Sequence, residues 1–343
     1  MTEIGQPAID DRPDHVVGDH SGLIIPVHGD ALKSAGDIWL TDAFRSFGAL
    51  DETQTVRLTD MTPCPGGSTG KKFFLTVAYD PPTADLPTRL FVKFSRDFDD
   101  PVRDGRGKYE MEGEVAFAHI ASDARFPVTV PLTLFADYDS VSKSGLLITE
   151  TIPFGEGAFD PHHEKCMDHE IADALPYYRR IFEALARIAG SHRAGRLGDA
   201  VDRAFPHDPV RMAKAAGLRF RETEEEIAIK AAGFAAFVSD HPQLFPEDVT
   251  GSDLFDDLSR QAPRFVRHQH DIARFLTEDA DMVALCHWNA NIDNCFFRHD
   301  EAGQLHCGLM DWGNAGQINI AFAIWGSLSG ATVSMWNAHF DEL

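Results

Sequence analysis

The sequence has 343 residues, which is enough for two subdomains and at least one sizeable hydrophobic core. Its net charge of −23 argues against a nucleic-acid partner and against docking on anionic membranes. It contains no apolar signal core and no membrane-length apolar run, and its five cysteines are odd in number without CxxC spacing. We therefore expect a cytoplasmic protein without a disulfide framework.

The first half of the chain alternates helix-like and strand-like patterns. Residues 1–30 are polar and contain Pro, Gly and Asp, so we expect a flexible N-terminus. Apolar residues at helical spacing over residues 40–47 predict a helix with Asp37 as its N-cap. A second helix is predicted over residues 109–121. Strand patterns occur at residues 56–61, 73–79, 89–94 and 146–149.

Beyond residue 150 the patterns are mostly helical. The longest apolar stripe runs over residues 171–189 and predicts a helix with one buried face. Two further helices are predicted over residues 208–240 and 252–278. A turn signal at residues 300–303, between two short strand patterns, predicts a β-hairpin.

These patterns indicate an α+β fold. We expect a small antiparallel sheet in an N-terminal lobe at residues 31–150 and a mostly helical C-terminal lobe at residues 151–343.

A run of small residues lies between two predicted strands. Small residues let backbone N–H groups approach phosphate oxygens, although most turns of this kind only join the strands of a hairpin. The run also lacks the spacing of a P-loop, and the neighbouring Lys71 and Lys72 are interpreted as solvated strand-end charges. The candidate phosphate-binding residues are Gly66, Gly67, Ser68, Thr69 and Gly70.

Lys93 lies inside the apolar strand pattern LFVKF at residues 90–94. A lysine in such a strand is costly unless its ammonium group meets anions. Phosphates or a carboxylate would supply them, and Glu114 on the next predicted helix is the natural partner. A lysine that points outward from a half-buried strand is an equally weighted alternative.

Two hard oxygen ligands occur late in the chain. Asn294 ends the polar loop CHWNANIDN at residues 286–294, and Asp311 follows the last strand of the predicted hairpin. An amide oxygen and a carboxylate suit Mg²⁺. Phosphoryl transfer needs such a cation, donors around the phosphates and a group that orients the attacking hydroxyl. In the alternative, Asp311 only caps a turn.

Taken in order, these residues resemble the aminoglycoside phosphotransferase and choline kinase-like family, with its ecdysteroid-kinase-like relatives. The family's loop H-G-D-x-x-x-x-N corresponds to His287, Asn289 and Asn294. Its metal-binding aspartate falls on Asp311. Its phosphate-contacting lysine and its helix glutamate fall on Lys93 and Glu114, respectively.

The resemblance implies a bilobal protein-kinase-like fold that uses ATP or GTP with Mg²⁺ to phosphorylate a hydroxyl of a small molecule. Residues 146–150, LLITE, resemble the linker whose backbone would hold the adenine, which adds Ile148 and Glu150 to the candidate site.

The chain departs from the family pattern at Asn289, where a catalytic aspartate is expected. An asparagine can orient a hydroxyl but cannot accept its proton, a loss of about 10²–10⁴ in rate if nothing substitutes. Asp293 is a candidate substitute; in the alternative it only bonds backbone amides. The hypotheses are therefore an active phosphotransferase, a pseudokinase that binds nucleotide without catalysis, and a kinase-like fold that binds no nucleotide.

Substrate identity leaves little trace in the sequence. The acidic run at residues 222–226 would suit a cationic small molecule, such as an amino alcohol or an aminoglycoside. Acidic runs on helices are more often solvated faces. Only 32 residues follow Asp311, so we expect either a short C-terminal lobe or a fragment. No pattern indicates an oligomeric state.

Overall fold

The computed structural model describes residues 13–66, 70–103, 108–215, 217–245, 247–250 and 253–343. The strands of this part of the chain are β1 (His15–Val17), β2 (Ile24–Pro26), β3 (Thr55–Pro63), β4 (Lys72–Asp80), β5 (Arg89–Phe94), β6 (Thr133–Asp139), β7 (Ser144–Glu150), β8 (Val283–His287), β9 (Cys295–His299), β10 (Leu305–Leu309) and β11 (Ala315–Asn319). The helices are α1 (Gly29–Ser46), α2 (Lys108–Ala121), α3 (Leu175–Arg193), α4 (Asp199–Ala204), α5 (Pro209–Ala215), α6 (Glu224–Asp240), α7 (Glu247–Thr250), α8 (Leu254–Glu278), α9 (Ile320–Ser327) and α10 (Val333–His339).

The largest sheet has five antiparallel strands in the order β3-β4-β5-β7-β6. One of its faces packs against α1 in a hydrophobic core. Because side chains alternate along a strand, the residues between these core positions lie on the opposite face of the sheet. The buried core residues include Leu40, Phe44, Leu75, Val77, Leu90, Val92, Phe94, Leu146 and Ile148.

The segment of residues 1–30, expected to be loose, contains a short antiparallel pair, β1 with β2, in its described part. The carboxylate of Asp137 on β6 accepts hydrogen bonds from the backbone N–H groups of His20 and Ser21, at 3.0 and 2.9 Å. Ile25 is fully buried in the core. These contacts span more than 100 residues, so local sequence patterns do not reveal them.

The prediction that Asp37 is an N-cap is wrong. α1 begins at Gly29, where the His28 ring accepts a hydrogen bond from the Ala31 N–H at 3.2 Å. Gly36, with φ of 61°, interrupts the helix, and the Asp37 carboxylate accepts instead from the Leu58 N–H at 2.8 Å.

The helical part of the chain follows the predicted order, with two differences. The long amphipathic helix is confirmed as α3, but it begins at Leu175 because Pro176 suits the first turn of a helix. A single helix over residues 208–240 is wrong, since α5 ends before a new helix begins at Glu224. Thr223 starts that helix with a capping box. The helix over residues 252–278 is confirmed as α8, and the hairpin as β9 and β10.

The predicted α+β composition is confirmed, since the antiparallel sheet precedes residue 151 and mostly helices follow. The chain divides into two compact units. One comprises residues up to 206, 285–316 and 321–343, and the other comprises residues 207–284 and 317–320. All the described candidate site residues belong to the first unit. The lobe boundary at residue 150 stays a prediction. No helix within the described ranges is long and apolar enough to cross a bilayer.

Candidate active site

Lys93 lies on the face of the five-stranded sheet that is turned away from the core. Its neighbours Val92 and Phe94 are buried in that core, so alternation places Lys93 on the other face. The register pairs Lys93 with Lys72 of β4, and directly opposed residues share a face. Lys93 is only 4% exposed, so its charge requires anionic partners.

Two carboxylates supply those partners. Oε1 of Glu114 on α2 is in very close contact with Lys93 Nζ, and Oδ1 of Asp311 lies 2.9 Å from the same nitrogen. Glu114 is as buried as the lysine, whereas the Asp311 side chain is 42% exposed. The cluster is therefore closed on the Glu114 side and accessible from solvent on the Asp311 side.

The three charges are strongly coupled. Burial disfavours the ammonium form of Lys93, but Glu114 and Asp311 outweigh burial and raise its pKa above the usual value. The Lys93 ammonium holds the pKa of the Asp311 carboxyl well below its usual range. Burial raises the pKa of Glu114 to about 7, although Lys93 opposes the shift. Asp311 is thus an anion at neutral pH and can accept a second cation.

Aromatic packing holds Asp311 in place. Its backbone is left-handed, with φ of 60° and ψ of 63°, and Trp312 follows it. The Trp312 ring stacks on Phe117 of α2 with centroids 3.6 Å apart, and its Nε1 donates to the Leu309 carbonyl at 3.2 Å. The carboxylate therefore leaves a segment whose next side chain is locked against α2.

A close approach of two glycines brings α2 onto the same segment. A Cβ atom added at Gly113 would lie 3.3 Å from the Gly313 carbonyl oxygen, and one at Gly313 would lie 3.0 Å from Glu114 Oε1. Small residues at both positions thus allow Glu114 and Asp311 to reach one lysine.

His287 ties the polar loop to the segment before Asp311. The ring is fully buried, Nε2 donates to the Met310 carbonyl at 2.9 Å, and Nδ1 accepts from the Asn289 N–H at 3.3 Å. The Met310 N–H in turn donates to the Asn294 carbonyl at 2.9 Å. The two segments that carry Asn294 and Asp311 are therefore bonded side by side. Because His287 is buried, this geometry suits positioning rather than contact with a substrate.

Asn289 is held by its loop neighbours. Its side-chain Oδ1 accepts from Asn291 Nδ2 at 3.2 Å, and Asn291 Oδ1 accepts from the Ser329 hydroxyl at 2.9 Å. The backbone carbonyl of Asn289 accepts from Asn294 Nδ2 at 2.7 Å. Position 289, where the sequence resemblance implies an acid, thus carries an oriented neutral amide.

Asp293 belongs to a different group of charges. It is 8% exposed, and the charges that act on it include those of Lys165, Asp168 and His162. Its Oδ1 is buried without a hydrogen-bond partner in the described part of the chain, and burial raises the pKa of the carboxyl. Asp293 is therefore a buried carboxylate of the polar loop whose charged neighbours include Lys165, Asp168 and His162.

In the predicted linker, the side chains of Ile148 and Glu150 are already packed or hydrogen-bonded within the protein. Ile148 is fully buried in the core of the sheet. Glu150 Oε1 accepts from the Leu132 N–H at 2.8 Å, and its own N–H donates to the Leu132 carbonyl at 2.8 Å. Any contact of these two residues with a base would therefore come from their main-chain atoms.

The glycine-rich turn joins β3 to β4. Gly66 and Gly70 have φ of 88° and 57°, which favours glycine. A Cβ atom at Gly70 would lie 1.8 Å from the Phe94 carbonyl oxygen, so this end of the turn is held against β5. Three of the predicted residues lie outside the described ranges: Gly67, Ser68 and Thr69.

Lys72 is a candidate that the sequence interpretation assigned to solvent. Burial lowers its pKa, and so does the charge of Lys93, while Asp311 and Glu114 raise it. Lys72 therefore interacts electrostatically with Lys93, Asp311 and Glu114. Its signal in the sequence was alternation with the apolar residues of its strand, but the pairing with Lys93 cannot be read locally.

Asp311 and Asn294 carry oxygen donors of the types that suit a divalent cation. Asp311 is anionic and accessible, and Asn294 uses its Nδ2 on the Asn289 carbonyl, which leaves its amide oxygen as an acceptor. A carboxylate and an amide oxygen are a donor set for Mg²⁺. Across the described residues, no group of three or more His, Cys, Asp or Glu is arranged to hold a metal. Burial raises the pKa of Cys286 to about 12, as expected of a thiol that acts as an apolar side chain.

The acidic run at residues 222–226 lies in the second unit and is partly neutralised there. Glu222 pairs with Lys230 and Glu224 with Arg267, each at 2.5 Å. These pairs give no support to a cationic substrate.

The backbone of Gly326 in α9 lies close to the backbone of the polar loop at Trp288. A Cβ atom there would lie 2.1 Å from the Trp288 carbonyl oxygen. We expect Gly326→Ala to lower the free energy of unfolding by about 1–3 kcal/mol through overpacking. Gly190→Ala, in open space on α3, is the matched control and should raise it by about 0.5–1 kcal/mol. Chemical denaturation measures both, and equal effects would contradict the close contact.

A scan against models of protein families and a search of curated proteins each find no match. Among solved structures, the chain is similar to the GDP and kanamycin complex of APH(2")-IIia, at 12% identity and a TM-score of 0.37, over 76% of this chain and 68% of that chain. It is similar to the GDP complex of wild-type aminoglycoside 2'-phosphotransferase-IIIa, at 12% identity and a TM-score of 0.37, over 80% and 73%. A Plasmodium vivax ethanolamine kinase has 10% identity and a TM-score of 0.40, over 92% and 71%.

Proposed function

We propose that this chain is a phosphotransferase that uses Mg²⁺ and a nucleoside triphosphate, ATP or GTP, to phosphorylate a small molecule. The observation that supports it most is the buried Lys93, held between Glu114 and an accessible, anionic Asp311. A lysine and a metal-binding carboxylate side by side are what the phosphates of a nucleotide require.

The lysines of the sheet face are the expected phosphate ligands. Glu114 fixes the Lys93 ammonium by a buried ion pair, and Lys72 lies opposite it in the register. Two cations on one face would bind phosphate oxygens and stabilise the charge that develops on them during transfer.

Asp311 and Asn294 would hold the Mg²⁺, which when bound neutralises phosphate charge. Two contacts within the chain would support this role. Lys93 keeps Asp311 ionised, and His287 keeps the Asp311 segment bonded to the polar loop. The loop residue Asn289 would orient the acceptor through its amide group.

A nucleotide-binding module without catalysis is the second candidate function. Asn289 favours it, because an amide cannot remove a proton from a hydroxyl acceptor.

Nucleotide binding and transfer are tested separately. We expect Mg-ATP or Mg-GTP at about 100 times its Kd to stabilise the protein by about 2.7 kcal/mol in a thermal-shift measurement. Transfer of radiolabelled γ-phosphate to a panel of small molecules then separates the two candidates. Stabilisation without transfer favours the binding module, and the absence of stabilisation by either nucleotide rejects both.

Lys72→Met is expected to weaken nucleotide binding by about 10-fold or more, since a hydrogen bond to a charged group contributes about 1.5–3 kcal/mol. Lys71→Met is the matched control, because Lys71 is 62% exposed and pairs with Asp97. Titration calorimetry with the Mg-nucleotide compares them. An equal loss in both variants would show a general charge effect instead of a specific contact.

A further inference from the structure

At position 289 the polar loop carries no base that could remove a proton from a phosphoryl acceptor. The side chain there is neutral, and its oxygen already accepts from Asn291, which leaves its amino group as a donor without another partner among the described residues. The Ser329 hydroxyl steadies Asn291 from the other side. A group that approaches this amide thus meets an N–H donor.

The two neighbouring carboxylates differ from Asn289 in their surroundings. Asp311 accepts from Lys93, whereas Asp293 is 8% exposed and the charges that act on it include those of Lys165, Asp168 and His162. Asp311 thus serves the lysine, and position 289 itself carries the Asn289 amide.

A hydroxyl acceptor needs its proton removed during transfer, whereas a carboxylate or a phosphate monoester is already ionised at neutral pH. An N–H donor attracts such an anion, and an aspartate at the same position would repel it.

Resting on the proposed function, we infer that the acceptor atom is an anionic oxygen of a carboxylate or phosphate group, which the Asn289 amide orients. This differs from the hydroxyl that the family resemblance implies.

The reaction balances without a base. The bond between the γ-phosphorus and the β–γ bridging oxygen breaks, and the nucleoside diphosphate leaves with the electron pair. A bond forms from the acceptor oxygen to the γ-phosphorus. No proton is released, whereas a hydroxyl acceptor would release one for each diphosphate formed. The product is an acyl phosphate or a phosphoanhydride.

The test offers the full chain Mg-ATP or Mg-GTP with matched acceptors: short mono- and dicarboxylates, alkyl phosphates, and the corresponding alcohols. We expect diphosphate formation with an anionic member and without proton release at pH 8. Trapping with hydroxylamine identifies an acyl phosphate, and phosphorus NMR identifies a phosphoanhydride, so the two arms distinguish the acceptor groups.

Asn289→Asp is expected to reverse the preference. Its carboxylate should lower turnover of the anionic acceptor by at least about 10-fold through repulsion. It should raise turnover of the matching alcohol by about 10²–10⁴-fold through base catalysis.

Asn291→Ala frees the Asn289 amide and should raise the KM for the phosphoryl acceptor by about 10-fold with a smaller change in kcat. It provides the test if the first variant does not fold.

Turnover of alcohols by the parent with one proton released, and none of the anions, would overturn the inference and leave the proposed function standing. Bound nucleotide without turnover of any acceptor would overturn it in favour of the binding module. Absence of nucleotide binding would remove the proposed function itself.

Discussion

Lys93→Met is expected to lower the free energy of unfolding by about 3–5 kcal/mol, because it leaves the buried Glu114 without its counter-ion. The loss should depend on pH. Burial already raises the pKa of Glu114 to about 7, and loss of the lysine removes the charge that opposes this shift. A carboxyl with a raised pKa destabilises the folded state above that pKa and ceases to do so once protonated. The deficit should therefore be largest above pH 7 and shrink toward pH 5, as chemical denaturation at several pH values will measure.

The double variant Lys93→Met/Glu114→Leu is the control for this cost. Replacement of a buried ion pair by apolar residues of similar volume is often neutral in stability, so the second change should recover most of the loss. Nucleotide binding should not return with it. A single variant as stable as the parent at pH 8 would show that the pair does not anchor α2 to the sheet.

Asp311→Asn is expected to abolish the Mg²⁺-dependent part of nucleotide stabilisation and to lower phosphoryl transfer by about 10²–10³-fold or more, the cost of losing one preorganised electrostatic group. The amide has the same shape, so the packing of Trp312 on Phe117 should remain. Thermal shift with Mg-nucleotide and with nucleotide in EDTA measures the first effect, and radiolabel transfer to the identified acceptor measures the second.

Asp341→Asn is the matched control, since it removes the same charge at an exposed position near the C-terminus. It should change neither measurement. If Asp311→Asn keeps its Mg²⁺-dependent stabilisation, the divalent ion is held by other residues, and the site that we propose is wrong.

Local patterns predicted the elements whose signals are local. β5 has the predicted bounds because its apolar run is short and flanked by breakers, and α3 was visible as a long apolar stripe. Residue type and order likewise indicate Lys93, Glu114 and Asp311 as site candidates, and the structure brings these three side chains together. Chemistry restricts which side chains suit phosphates and Mg²⁺, so composition and spacing carry that information.

Tertiary structure decided what depends on pairing between distant segments. Strand β6 was not predicted. It contains Asp137, a carboxylate that interrupts the apolar pattern and accepts from backbone N–H groups more than 100 residues away. Only the register of β4 with β5 brings Lys72 to the cluster, and only the packed loop shows that Asp293 is buried while Asn289 is held by Asn291. The sequence by itself determined which residues were chemically suited to the site. The fold decided which of them meet, because strand register and the direction of a buried side chain depend on contacts with parts of the chain that lie far away in sequence.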